Sequence, residues 1–75
     1  MILPTKHVST KQSILGVGAI LLRHLDRSRT VSGLWELVRV DSNVGTFERF
    51  TLALDFLFII NAISYDGEFL VRNSK

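Results

Sequence analysis

Few side chains in this sequence could do acid–base, nucleophilic or metal chemistry. His7 and His24 are the two histidines, and there is no cysteine. A helical zinc pair needs two histidines one turn apart. These two stand too far apart for that, and no carboxylate joins either one at ligand spacing. His24 follows Arg23 at the end of an expected first helix, where the negative end of the helix dipole favours a basic ring. It reads as a helix-terminal residue. Ser9, Ser13, Ser28 and Ser32 have no histidine at a spacing that suggests a nucleophile and its base, and they read as caps and loop residues. A phosphate cradle at Gly16-Val17-Gly18 would need a preceding strand and a third glycine or a lysine beyond. Neither is present, so the two glycines, each costing a helix about 1 kcal/mol relative to alanine, imply close approach by another helix. No catalytic, cofactor-binding or metal-binding residue is predicted, and the chain does not read as an enzyme.

What remains is charge. Arg23, Arg27 and Arg29 lie in RHLDRSRT, the only local concentration of positive charge. They form either a solvated loop or a contact for nucleic acid or an acidic partner. Residues 1–40 carry six Lys or Arg against Asp26 and Glu36, a balance of +4, whereas residues 41–75 carry Arg49, Arg72 and Lys75 against five carboxylates, a balance of −2.

These charges are positioned by elements that the hydrophobic pattern makes legible. The longest periodic stretch is Thr46 to Asn61, TFERFTLALDFLFIIN. At about 100° per residue, Phe47, Phe50, Ala53, Leu54, Leu57 and Phe58 form one broad apolar stripe. Leu52, Phe56 and Ile59 lie on the far side, with Arg49 among them, and Glu48, Thr51 and Asp55 make the polar strip. One stripe can pack a small core. The other needs something outside that core, which makes Leu52, Phe56 and Ile59 candidate partner-binding residues.

Upstream, three apolar residues followed by Pro4 predict a short extended arm over Met1 to Lys6. Ser9-Thr10-Lys11-Gln12 has the spacing of a capping box and predicts a first helix to about Leu25. Thr30 caps a second helix, Val31 to about Val40, with Val31, Leu34, Trp35 and Val38 on one face. Asp41 to Gly45 is a turn-rich loop, and Thr46 caps the third helix, with Glu48 in its first turn. After Asn61 the period becomes alternating, and Asp66-Gly67 signals a hairpin. With that pair at the turn, Tyr65 faces Glu68, Ser64 faces Phe69, Ile63 faces Leu70 and Ala62 faces Val71. One ribbon face carries Ile63 and Leu70. The other carries Phe69 and Val71, which join the candidate partner-binding set. Asn73, Ser74 and Lys75 read as a frayed end. The predicted fold class is α+β, mostly α: one winged helix-turn-helix domain over residues 1–75, with three helices, a C-terminal hairpin wing and a short N-terminal arm.

Such a fold serves nucleic-acid and protein binding alike. A DNA reader presents Arg, Lys, Asn or Gln from its third helix. This one offers Arg49 and Asn61, and the wing tip carries Asp66 and Glu68, which phosphates repel. Protein binding is favoured, a small DNA-binding regulator is the alternative, and a homodimer could also cover the second stripe. With 75 residues, a chain buries only about 60% of its unfolded surface, so its core is marginal and a partner helps. At 47% hydrophobic and 21% charged it is a folding domain. Lys6 and Lys11 before the apolar run Ile14 to Leu22 resemble a signal peptide, but no small-residue cleavage site follows. No run approaches the ~20 apolar residues that span a bilayer. A cytoplasmic protein without a membrane partner is expected.

Several segments together resemble a known family. They are the opening Met1-Ile2-Leu3-Pro4-Thr5-Lys6-His7, the segment Ser13-Ile14-Leu15-Gly16-Val17-Gly18-Ala19, Thr30-Val31-Ser32 with Leu34-Trp35, and Phe50 with Leu52-Ala53-Leu54-Asp55, Leu57 and Ala62-Ile63. In these the chain resembles the middle component 6 family of prokaryotic ABC-three-component systems over nearly its whole length. The resemblance implies a small non-enzymatic adaptor subunit encoded beside an SMC-like ABC ATPase and an effector. Systems of this kind defend against phages and plasmids, with Lamassu-like complexes as relatives. It carries no catalytic signature and no cofactor.

A net charge of +2 with an acidic wing provides few phosphate contacts. Duplex DNA binding, measured by fluorescence anisotropy, is expected to be weak, sequence-independent and abolished at moderate salt.

Overall fold

A computed structural model describes the backbone of residues 4–73 and the side chains of residues 14–73. Along the chain lie α1 (Pro4–Arg23), α2 (Val31–Val38), α3 (Phe47–Ile59), β1 (Ile63–Asp66) and β2 (Phe69–Arg72). The expected order of three helices and an antiparallel hairpin, mostly helical, is observed.

The first helix departs from expectation at its start. Residues 1–3 lie outside the described residues, and Pro4 to Lys6 are helical rather than an extended arm. Proline suits the first helical position, where its fixed φ is already helical and its missing N–H has no intrahelical partner to lose. The spacing from Ser9 to Gln12 therefore falls inside the helix and does not begin it. At the other end α1 stops at Arg23, not Leu25.

The two later helices begin where their caps place them. The Thr30 hydroxyl accepts from the Gly33 N–H at 3.0 Å, and that of Thr46 accepts from the Arg49 N–H at 3.1 Å. Each satisfies a donor that the first helical turn cannot. Helix α2 ends at Val38, two residues early, which leaves Val40 79% exposed. In the following loop the Asp41 carboxylate accepts from the Asn43 N–H at 2.8 Å, an Asx turn that lets Val44 tuck fully into the core.

Helix α3 ends in a left-handed cap. Asn61 has φ +64°, its N–H donates to Phe58 O at 3.0 Å, and the Ala62 N–H donates to Leu57 O at 2.8 Å. These are the paired bonds of a Schellman motif, with asparagine where glycine is commonest. The turn reverses the chain directly into β1. Asn73, expected to fray, instead secures this junction. Its amide donates to Asn61 O at 2.9 Å, its side-chain oxygen accepts from the Ser64 hydroxyl at 2.7 Å, and its N–H donates to Ala62 O at 2.9 Å.

The hairpin pairs Ile63 with Arg72, Ser64 with Val71, Tyr65 with Leu70 and Asp66 with Phe69. Every partner is thus two residues beyond the expected one, because the loop is Gly67-Glu68 and not Asp66-Gly67. Gly67 has φ +66°, and Glu68 is not among the positive-φ residues. A single positive φ at the first loop position is the pattern of a type II′ turn, not type I′. A shift of two preserves the faces, whereas a shift of one would exchange them. Ile63 and Leu70 accordingly face inward and are buried, and Phe69 is 42% exposed on the outer face.

The core joins Val17, Ile20, Leu21 and Leu25 with Leu34 and Val38 of α2, Val44, Phe50, Ala53, Leu54 and Leu57 of α3, and Ile63 and Leu70 of the hairpin. No polar or charged residue is buried among the described residues. The close approach expected at the two α1 glycines is not required at either: a Cβ at Gly18 would lie 3.4 Å from Leu57 Cδ2, an ordinary van der Waals distance, and at Gly16 nothing lies within 4 Å. Gly16→Ala should therefore raise the unfolding free energy by up to about 1 kcal/mol. Phe50→Ala, at a fully buried ring, should lower it by about 3–5 kcal/mol. Urea denaturation of both variants measures the contrast.

Candidate functional site

Four positions of α3, Phe50, Ala53, Leu54 and Leu57, are buried, and they fix the rotation of the helix about its axis. The opposite side then has to face outward. Leu52 is 47% and Ile59 81% exposed, and Ile60 beside them is 53% exposed. Phe56 lies on the flank of this side, half-buried and packed against the core. Of the three helix residues expected to meet a partner, Leu52 and Ile59 are uncovered and Phe56 is shared between the core and the surface.

The stripe expected to be core is narrower than the sequence implies. Phe47 is 51% exposed, and its ring stands edge-on to Trp35 with centroids 5.1 Å apart, while Trp35 also meets Phe50 at 5.2 Å. This aromatic cluster closes the gap between α2 and α3 by offset and edge contacts, the favoured geometries of ring quadrupoles. Phe58 is half-buried under Tyr65 of the hairpin, centroids 5.1 Å apart. Both rings are thus at the rim, where the core meets solvent.

On the hairpin, Phe69 and Val71 share the outer face, with Val71 half-buried. Val71 takes part in a cleft of about 720 Å³ between the α1–α2 connection and β2, lined also by Leu25, Asp26, Arg27, Ser28, Arg72 and Asn73. The structure therefore groups Val71 with Arg27, two residues that sequence reasoning assigned to different surfaces. In the sequence Arg72 counted only as a charge and Asn73 only as part of an expected frayed end.

The three loop arginines have different fates. Arg29 is half-buried and forms an isolated antiparallel bridge with Leu70. Its Nε donates to His24 O at 2.6 Å and its guanidinium lies 3.5 Å from Asp26. It is a structural residue, not part of a solvated loop. Arg72 likewise reaches Leu22 O at 3.3 Å. Arg29 thus serves a carbonyl just past the C-terminal end of α1, and Arg72 adds to the bond that Leu22 O already accepts from the Leu25 N–H at 3.1 Å, in a region where cations are favoured. His24 Nδ1 lies 3.0 Å from Ile20 O in the same region. Arg23 and Arg27 are exposed and form no ion pair among the described residues. The basic loop is therefore two surface charges and one half-buried tie.

The acidic half is laid out as expected: Glu48 and Asp55 are exposed on α3, and Asp66 and Glu68 at the hairpin tip. Among the described residues no group of three or more His, Asp or Glu is placed to hold a metal ion. The side chain of His7 lies outside them. No helix of the described chain is long and apolar enough to cross a membrane.

Fold and surface thus define a small, mostly helical domain with a hairpin at its C-terminal end and an uncovered apolar side on its third helix. The family model of the ABC-three component system Middle Component 6 matches residues 3–74. The chain belongs to this family, as the quoted segments implied. Comparison with curated proteins and with solved structures finds no match.

The two sides of α3 should respond differently to charge. Ile59→Asp should change the unfolding free energy by no more than about 0.5 kcal/mol, as exposed substitutions do. Phe56→Asp sets a carboxylate partly against the core and should cost on the order of 1–3 kcal/mol. Thermal melts followed by circular dichroism separate the two.

Proposed function

We propose that this chain is a non-enzymatic adaptor subunit of an ABC-three-component system, docking through apolar surfaces of α3 and the hairpin onto the ATPase, the effector or both. The observation that carries the reading is the exposure of Leu52 and Ile59 on one side of α3, with Ile60 exposed at its C-cap. Clustered exposed apolar side chains mark partner surfaces on small soluble domains. Family membership supplies the system to which those partners belong. In line with the resemblance drawn above, the complex is read as a cytoplasmic antiphage or anti-plasmid assembly around an SMC-like ATPase.

The same reading treats the domain as a winged helix. Its support is the Arg29–Leu70 bridge, which adds a strand-like segment between α1 and α2 to the hairpin and leaves β2 in the middle. In that architecture α3 is the recognition helix and the hairpin the wing. The eight-residue connection Arg39 to Thr46 between α2 and α3 is longer than the tight turn of a simple helix-turn-helix. Its recognition helix shows apolar side chains and the carboxylates Glu48 and Asp55, and its wing tip shows Asp66 and Glu68. Protein is the better match to that surface than DNA. A DNA-binding regulator draws support only from Arg23 and Arg27.

Co-expression with the products of the adjacent genes and affinity capture tests the proposal. The parent chain should co-purify with the ATPase or effector. A Leu52→Asp, Ile59→Asp double variant should remain folded and bind at least about tenfold more weakly, the ~1.4 kcal/mol loss expected when contributing apolar contacts are removed. Undiminished capture by the folded double variant refutes docking through α3.

A further inference from the structure

The connection between α1 and α2 pairs with β2 at one point only. Arg29 and Leu70 exchange both main-chain hydrogen bonds, Arg29 N–H to Leu70 O at 3.2 Å and Leu70 N–H to Arg29 O at 2.6 Å. Main-chain groups alternate sides along an antiparallel strand. The N–H and C=O of Arg72 therefore point to the same side as those of Leu70, away from β1. The Asn73 N–H, which reaches Ala62 O at 2.9 Å, points the other way, as the alternation requires. Before Arg29 the connection diverges from β2, and the space left between them is the cleft of about 720 Å³.

This cleft combines three features. Its β2 wall is a short strand edge, one donor and one acceptor at Arg72 that are unpaired among the described residues. Its apolar lining comes from Leu25 and Val71. Its charge comes from Arg27, which is exposed and makes no hydrogen bond or ion pair with the described residues, and from Arg72. Asp26, in the same lining, lies 3.5 Å from the Arg29 guanidinium, which offsets its charge.

We propose that the cleft is a docking site for an extended peptide segment of another protein that carries carboxylate side chains. The segment adds to the free edge at Arg72, an Asp or Glu meets the Arg27 guanidinium, and a neighbouring apolar side chain rests on Val71. Strand addition supplies the main-chain bonds, and the alternating side chains supply selectivity. A DNA backbone offers acceptors only, so it leaves the Arg72 carbonyl unmatched, and Asp26 opposes its charge. This second interface is independent of the apolar side of α3.

The test is an amide nitrogen–proton NMR titration of the full chain with a short capped peptide alternating valine and glutamate. A valine and lysine counterpart and a duplex DNA serve as comparisons. The valine and glutamate peptide should shift amides within residues 25–28 and 71–73 and slow hydrogen exchange at Arg72. Arg27→Glu should leave the rest of the spectrum unchanged and weaken binding by about tenfold or more, as loss of a charge-assisted bond does. The proposal is overturned if no shifts occur, if they fall elsewhere, if the lysine peptide binds equally or if Arg27→Glu leaves affinity unchanged. Preference for the duplex at the same amides would assign the cleft to nucleic acid instead. None of these outcomes bears on capture through Leu52 and Ile59, so the two interfaces stand or fall separately.

Discussion

The packing of α1 against α3 governs the rest of the molecule. Leu57 of α3 sits over Gly18 of α1, its Cδ2 3.4 Å from where a Cβ would be, an ordinary van der Waals distance, and Val17, Ile20 and Leu21 are buried in the same core. Interiors pack at crystal-like density and tolerate little added volume. Once Leu57 is seated, the helical period leaves one rotation of α3 that also buries Phe50, Ala53 and Leu54. That rotation turns Ile59 and Leu52 outward. The buried interface and the proposed binding side are therefore two consequences of one helix packing.

The hairpin depends on the same helix through its end. The left-handed Asn61 reverses the chain, and the hydrogen bonds from Asn73 hold the far end of β2 against that reversal. Leu70 is thereby carried into the core and Arg29 onto the edge of β2. A two-stranded ribbon alone is marginal in water. Here its inner face is covered by α3 and its outer strand is tied to the α1–α2 connection. The arginines that a linear reading assigns to one basic loop are separated by this closure, with Arg29 serving His24 O just past α1 while Arg72 of β2 reaches Leu22 O within it.

A domain this small has little stability to spare. Its core is entirely apolar, and its exposed surface includes large side chains on α3 and the hairpin. A partner covering those side chains would stabilise the folded chain by mass action as well as by contact. Such coupling would suit a member of a multicomponent system.

Local order was legible because local physics sets it. Thr30 and Thr46 cap the helices that follow them, the ribbon faces follow from a period of two, and the two sides of α3 follow from a period near 3.6. Each needs only a few neighbouring residues. The chain order of elements and the family segments belong to the same class of information. The tertiary structure decided what depends on residues far apart. The hairpin register was settled by which loop residue takes positive φ, with Leu70 paired to Arg29, and the faces survived because the shift was even. Pro4 begins a helix because that position tolerates a missing donor. Phe47 and Phe58 reach the rim because Trp35 and Tyr65 meet them there. Arg29, Asn73 and the cleft at Arg27 and Arg72 had no local signature. Their partners lie in other elements, and only packing of the whole chain brings those partners within hydrogen-bond reach.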